Sequence, residues 1–198
     1  MKILIDLSAP RPNFVKPELL LHPPIPRPLH GLNPRTIKGQ NWWDKHRAKA
    51  FALNNHCCWA CGVHKTEAYK HRYLEGHEVY DIDYKHGRAR FKAIVGLCYS
   101  CHAFIHQARL SSLLETKQIP FLEYQHVIDR GTALLDTAGL LKEYKRMQSL
   151  IAGDASGLVN DSAVPWSSWR LVIGGKAYPP KFASYDAWRK QYQEGGHE

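Results

Sequence analysis

Apolar positions recur at helical spacing between Asn41 and Asn54, at 43, 47/48, 50/51 and 53/54, leaving Lys45, Arg47 and Lys49 to project toward solvent. The spacing predicts a helix that leads into a cysteine pair. From Gly76 to Gly96 the pattern changes: Val79, Tyr80, Ile82 and Tyr84 precede the basic turn Lys85-His86-Gly87-Arg88, and Phe91, Ile94 and Val95 follow it, which predicts a β-hairpin. Ser100 to Leu114 carries Phe104, Ile105, Ala108, Leu110 and Leu114 without a breaker, so one helix is expected to start close to Cys101. Beyond Pro120 the pattern predicts helices over about 121–130 and 132–151, a loop over 153–164, a hairpin over 169–178 turning at Gly174-Gly175, and a short helix near 184–193. These elements make an α+β chain with a mainly helical C-terminal extension ending in a β-hairpin.

Ahead of them, Pro10 to Arg35 holds eight prolines interleaved with Arg11, Lys16, Arg27 and Arg35. Proline lacks the amide proton and fixes φ, so this stretch is expected to be an extended basic arm. Two uses are open to it: packing over the body, or lying along a phosphate backbone. The organisation read from sequence is therefore an arm over 1–40, a central domain over 41–110, and an extension over 111–198.

The net charge of +9 sharpens this division. Residues 1–50 hold nine Lys/Arg against three Asp/Glu, residues 51–110 eight against five, and residues 111–198 ten against ten. The surplus lies wholly in the first 110 residues, where it serves either solubility or a polyanionic partner. The balanced extension is left for packing, dimerisation or a protein partner. No apolar run approaches a membrane span and the N-terminus shows no secretory h-region, so a cytoplasmic protein without membrane attachment is expected.

Five cysteines in a reducing compartment point to metal binding rather than disulfides. Cys58-Trp59-Ala60-Cys61 and Cys98-Tyr99-Ser100-Cys101 are two C-x-x-C pairs, each able to present two thiolates to one tetrahedral ion, which predicts a four-cysteine structural zinc site. Cys57 is left as a spare thiol. His102 and His106 lie four apart on the expected helix, a spacing suited to chelating one ion. With the hairpin packed on that helix, His77 approaches the pair and makes a second, open metal site.

With these residues in place, the chain over about 41–110 resembles the HNH endonuclease superfamily, the zinc-scaffolded treble-clef branch of the ββα-metal nucleases. The resemblance rests on Cys58-x-x-Cys61, on Leu74-Glu75-Gly76-His77-Glu78-Val79, and on Leu97-Cys98-Tyr99-Ser100-Cys101-His102-Ala103-Phe104-Ile105-His106. It is of the kind found in bacterial and phage proteins of this type. It implies a DNA endonuclease or nicking enzyme that hydrolyses phosphodiesters with one divalent ion, Mg²⁺, Mn²⁺, Ni²⁺ or Zn²⁺, held by His77, His102 and His106. The general-base position falls on Glu78, a carboxylate where the family has histidine, and the motif's middle asparagine is absent from residues 91–97. Asp81, Asp83 and Glu75 are the nearby carboxylates. Lys45, Arg47, Lys49, Arg88, Arg90 and Lys92 are expected to hold the DNA backbone. The alternative is a degraded zinc module that binds nucleic acid or a protein without cleaving.

Overall fold

The element order begins with two short 3₁₀ turns, Pro17–Leu21 and Arg27–Leu29, then α1 (Pro34–Lys38) and α2 (Gln40–Leu53), in a computed structural model that describes residues 10–153 and 164–194. Strands β1 (Glu75–Asp83) and β2 (Arg88–Leu97) follow, then α3 (Tyr99–Ile105), α4 (Gln107–Glu115), α5 (Phe121–Thr137) and α6 (Leu141–Gly153). Strands β3 (Arg170–Ile173) and β4 (Lys176–Tyr178) and helix α7 (Tyr185–Glu194) complete the described chain. The α+β class is thus observed, with one four-stranded sheet in the order β1-β2-β3-β4. None of the described helices is long and apolar enough to cross a membrane.

The chain forms two compact units, each assembled from separated stretches. The first takes the described residues up to His22, Lys45–His77 and Ile94–Tyr144; the second takes Pro23–Asp44, Glu78–Ala93 and the described residues from Lys145 onward. This interleaving departs from the successive segments 1–40, 41–110 and 111–198. Its cause in the second unit is strand pairing: β3 joins β2 in parallel, with Arg88, Ala89 and Arg90 opposite Arg170, Leu171 and Val172. A local hydrophobic pattern carries no information about such a distant partner.

In the second unit the core is Leu29, Ala89, Trp169, Leu171 and Ile173, with Tyr80, Tyr84 and Phe91 packed against it. The proline-rich stretch contributes structure here. Asn33 caps α1 by accepting from the Thr36 amide while Thr36 Oγ1 accepts from the Asn33 amide, and Pro34 occupies the first turn where no amide donor is needed. Tyr84 donates its hydroxyl to the Pro24 carbonyl at 2.8 Å. The β1–β2 turn is closed by Asp83, whose carboxylate accepts from the His86 amide at 3.0 Å, and Gly87 adopts φ 63° where an added Cβ would meet Val164 at 2.5 Å. At the other hairpin Gly174 and Gly175 both take positive φ, 56° and 80°, as a two-residue turn of this hand requires.

In the first unit the expected helix boundaries shift. The single helix expected from Cys101 to Leu114 is two, because His106 leaves helical conformation at φ −95°, ψ 49° and separates α3 from α4. The break expected near residue 131 is absent, and α5 runs through Gly131 to Thr137. Gly131 is there for close approach: an added Cβ would lie 2.1 Å from the Phe104 ring of α3. The chain instead turns at Gly139, φ 72°, with the Leu140 amide donating to the Leu135 carbonyl. Gly131→Ala is expected to lower stability by about 1–3 kcal/mol through overpacking against a buried ring, and a chemical-denaturation midpoint equal to wild type would contradict this packing. The loop expected over 153–164 lies outside the described residues except at its two ends.

Candidate metal centre

The arm is the first element of the site, because it fixes the loop that carries Cys58 and Cys61. Asn13 donates its amide to the Asn54 side chain at 2.8 Å, Phe14 packs edge-on against Trp59 with centroids 4.7 Å apart, and the Lys16 amide donates to the Trp59 carbonyl at 2.7 Å. Of the two uses open to this stretch, residues 13–16 adopt packing. Within the loop the Cys58 amide donates to the Val63 carbonyl and the Gly62 amide to the Cys58 carbonyl, a tight knuckle in which Gly62 has φ 76°. A Cβ on Gly62 would meet Val15 at 3.0 Å and Pro12 at 3.2 Å, so the arm closes over a position where only glycine fits without a shift.

Cys98 caps α3 and Cys101 lies in its first turn. The knuckle and the helix start therefore face each other, and the sulfurs of Cys58, Cys61, Cys98 and Cys101 all lie within 4.8 Å of one another. The Cys61 and Cys98 sulfurs are 3.7 Å apart. A tetrahedral ion with metal–sulfur bonds of about 2.3 Å places its ligands about 3.8 Å apart, so the four cysteines are compatible with a structural zinc site. Burial pushes the Cys58 thiol up, whereas hydrogen bonds from its neighbours, Cys101 foremost, hold Cys61 far below the usual thiol range. Arg130 on α5 directs Nη2 at Cys61 Sγ from 3.8 Å and supplies a positive charge beside the thiolates. Cys57 stands apart: it is fully buried, with Sγ directed at the Pro10 carbonyl at 3.3 Å, and its thiol is raised by desolvation.

A second cluster is built by β1 and the α3–α4 junction. His77, His102 and His106 each offer a ring nitrogen, and these atoms also lie within 4.8 Å of one another. The ring centroids are 5.3 Å apart for His77 and His102, 5.1 Å for His77 and His106, and 4.7 Å for His102 and His106. His77 is 4% exposed, and its Nδ1 faces His106 Nε2 at 3.3 Å. His102 places Nδ1 2.7 Å from Glu75 Oε2, which leaves its Nε2 for another partner. Such a carboxylate fixes the tautomer and orientation of a metal-binding imidazole. Burial raises the Glu75 carboxyl, but the hydrogen bond and charge of His102 outweigh it and the net shift is downward.

Desolvation, followed by the charge of neighbouring histidines, lowers His77 to about 2 and His106 to about 4. Both rings are consequently neutral at physiological pH, the form in which imidazole binds a cation. The donor set fits a divalent transition metal. Glu75→Gln is expected to weaken a second ion by about 10–100-fold while leaving the four-cysteine ion in place, measured by titrating Co²⁺ into zinc-loaded protein; equal affinities would remove Glu75 from the site.

Glu78 is placed differently from the histidines. β1 runs regularly through this point, so consecutive side chains alternate, and Glu78 shares a face with Tyr80 rather than with Glu75 and His77. Its charge adds to burial in raising the Tyr80 hydroxyl. Arg88, Arg90 and Lys92 are exposed and fall on one face of β2, with Arg90 3.7 Å from Asp81. Arg170, opposite Arg88 in register, extends that basic face. On α2, Lys45 and Lys49 are exposed and Arg47 is half-buried.

Glu75 was marked by sequence only as a nearby carboxylate, yet its spacing of two from His77 puts both on one strand face. Arg130 and Arg170 gave no comparable signal, being brought in by distant pairing. Comparison with protein-family models, curated proteins and solved structures finds no match for this chain.

Proposed function

We propose that this protein is a metal-dependent phosphodiesterase of the HNH kind, a DNA endonuclease or nicking enzyme built on a treble-clef zinc scaffold. The observation that carries the reading is the second cluster: three imidazoles converge in a group of their own, separate from a complete set of four cysteines. A structural zinc alone gives no reason for them. The knuckle, the β1–β2 hairpin and the start of α3 follow the order of a treble clef, with zinc as the ion suited to four thiolates.

In this reading His77, His102 and His106 hold a divalent ion whose chemistry is Lewis-acid stabilisation of charge on the phosphate and the leaving oxygen. Glu75 keeps the His102 ring turned so that Nε2 is presented. Arg88, Arg90, Lys92 and Arg170 hold the DNA backbone through charge, giving affinity that falls steeply with salt and little sequence reading. Lys45, Arg47 and Lys49 serve the same purpose on α2. The extension remains the proposed place for a protein partner, Arg170 excepted.

One observation favours a second reading. The base position is Glu78, which alternates away from His77, so a zinc module that binds nucleic acid or a protein without cleaving it retains the same scaffold. The test is supercoiled plasmid incubated with Mg²⁺, Mn²⁺ or Ni²⁺, with wild type and His102→Ala side by side. Metal-dependent nicking by wild type alone supports the enzyme. Absent nicking in both supports the binding module, and equal nicking in both removes the histidine cluster from any cleavage.

A further inference from the structure

A row of ring side chains leads up to the histidine cluster. Between the cysteine knuckle and β1 the chain alternates aromatic and basic residues, Tyr69-Lys70-His71-Arg72-Tyr73, and Glu75 follows two residues later. The His71 and Tyr73 rings are stacked, with centroids 4.9 Å apart and planes at 11°. Tyr99, at the start of α3, sets its ring at 83° to His71 with centroids 5.2 Å apart, and Tyr69 stacks on His126 of α5 at 3.9 Å.

This row is anchored at both ends. Lys70 takes φ 66°, the left-handed region that residues with a side chain seldom adopt. Glu123 of α5, 8% exposed, accepts from both the Lys70 ammonium and the Tyr99 hydroxyl, and Lys70 Nζ lies 4.7 Å from the Tyr99 ring centroid. At the other end Leu74 is buried, and a Cβ added to Gly96 would meet its Cδ1 at 3.2 Å. Between these anchors the chain carries His71, Arg72 and Tyr73.

Two properties of the row serve no packing purpose. Tyr73 is 52% exposed although His71 covers one face of its ring, so aromatic surface is left for a further ring. Lys70 is engaged by Glu123, but Arg72 is exposed and makes no ion pair among the described residues. An open aromatic face beside an uncompensated cation matches a base and its phosphate in a single strand. An intact duplex keeps its base faces covered by their neighbours, and a purely apolar partner would leave Arg72 unmatched. Tyr73 lies two residues before Glu75, a span of at most about 7 Å, and Glu75 is 2.7 Å from His102.

We propose that His71 and Tyr73 form a stacking platform for an unpaired nucleobase, with Arg72 on its phosphate, so that the strand presented to the histidine cluster is single. The inference rests on the nucleic-acid reading above and narrows its substrate to single strands or the displaced strand of a duplex. Stacking accepts any base, so the platform reads strandedness and not sequence.

Binding is measured apart from cleavage. Zinc-loaded protein, with no further metal added, is titrated by fluorescence anisotropy against a labelled oligothymidine and a blunt duplex of the same length. Wild type is expected to prefer the single strand. Tyr73→Ala should bind that strand about tenfold more weakly, with duplex binding little changed, and Tyr73→Phe should keep wild-type affinity because stacking does not need the hydroxyl. Arg72→Gln should lower the salt slope by about one contact. In parallel, wild type is irradiated with a 5-iodouracil-substituted strand, and a crosslink within residues 69–73 is expected by mass spectrometry, a result that does not depend on how any variant folds. Equal single-strand affinity of wild type and a folded Tyr73→Ala, or a crosslink confined to other residues, overturns the platform and leaves the nuclease reading intact. A wild type that binds neither nucleic acid overturns both. Single-strand binding and crosslinking at the platform without metal-dependent nicking support the platform and overturn only the enzyme.

Discussion

Replacing Cys101 with serine is expected to remove the tightly held zinc and with it the cooperative fold of the first unit. Cys101 is 2% exposed and lies within 4.8 Å of three other sulfurs, so no water has ready access to take its place. A serine hydroxyl is a poor ligand for zinc, and the remaining three thiolates are left crowded in a buried space. Structural zinc contributes about 10–16 kcal/mol in small metal domains, which matches or exceeds the net stability of about 5–15 kcal/mol typical of a folded protein. A zinc on these four thiolates would join the knuckle at residues 58–62 to the helix start at 98–101, across the β1–β2 hairpin. Zinc content by plasma mass spectrometry and thermal unfolding by circular dichroism check this. A variant with one zinc per chain and wild-type melting would contradict the four-thiolate site.

His102→Ala is the second substitution with a large expected effect, and its consequence is chemical rather than structural. His102 is half-buried on α3, its Nδ1 lies 2.7 Å from Glu75, and one of its ring nitrogens lies within 4.8 Å of one from each of His77 and His106. In the proposed reading, removing it takes away one ligand of the second ion and leaves Glu75 without the imidazole it orients. Stabilisation of phosphate charge by an ion bound there would be worth several kcal/mol, and each 1.36 kcal/mol is about a factor of ten. Metal-dependent nicking should therefore fall by on the order of a hundredfold or more. The four-cysteine ion should stay, because α3 keeps Cys98 and Cys101 and loses only a partly exposed ring. Gel quantitation of nicked plasmid against time gives the rate ratio. A rate equal to wild type would show that cleavage, where it occurs, does not use this site.

What could be read from sequence was governed by range. The two C-x-x-C pairs, the strands around Lys85-His86-Gly87, the Gly174-Gly175 turn and the helix before Cys57 are local patterns, and each has its counterpart in the structure. His77, His102 and His106 were also legible, since a hairpin whose ends are tied to one helix has few places to put residue 77. Gly131 misled because glycine inside an apolar helix signals either a break or a close approach, and only the position of Phe104 decides between them. His106 misled in the opposite sense: nothing in Phe104-Ile105-His106-Gln107 announces that the helix stops. The parallel pairing of β2 with β3 and the arrival of Glu123 beside Lys70 depend on contacts between residues far apart in the chain. Periodicity is silent about such pairs. The arm is the clearest case, for its prolines correctly excluded a long helix but did not reveal that the chain is fixed over the cysteine knuckle.

The two clusters are expected to hold two ions in chemically different sites, one on four thiolates and one on imidazoles. Metal stoichiometry tests it most directly. Protein stripped of metal and reloaded with Zn²⁺ under reducing conditions, then desalted, should retain one ion that survives chelator washing and a second that is removed by it. His77→Ala combined with His106→Ala should retain the first ion and lose the second. A wild type that never takes up more than one zinc, or a double variant that still binds two, would contradict the account.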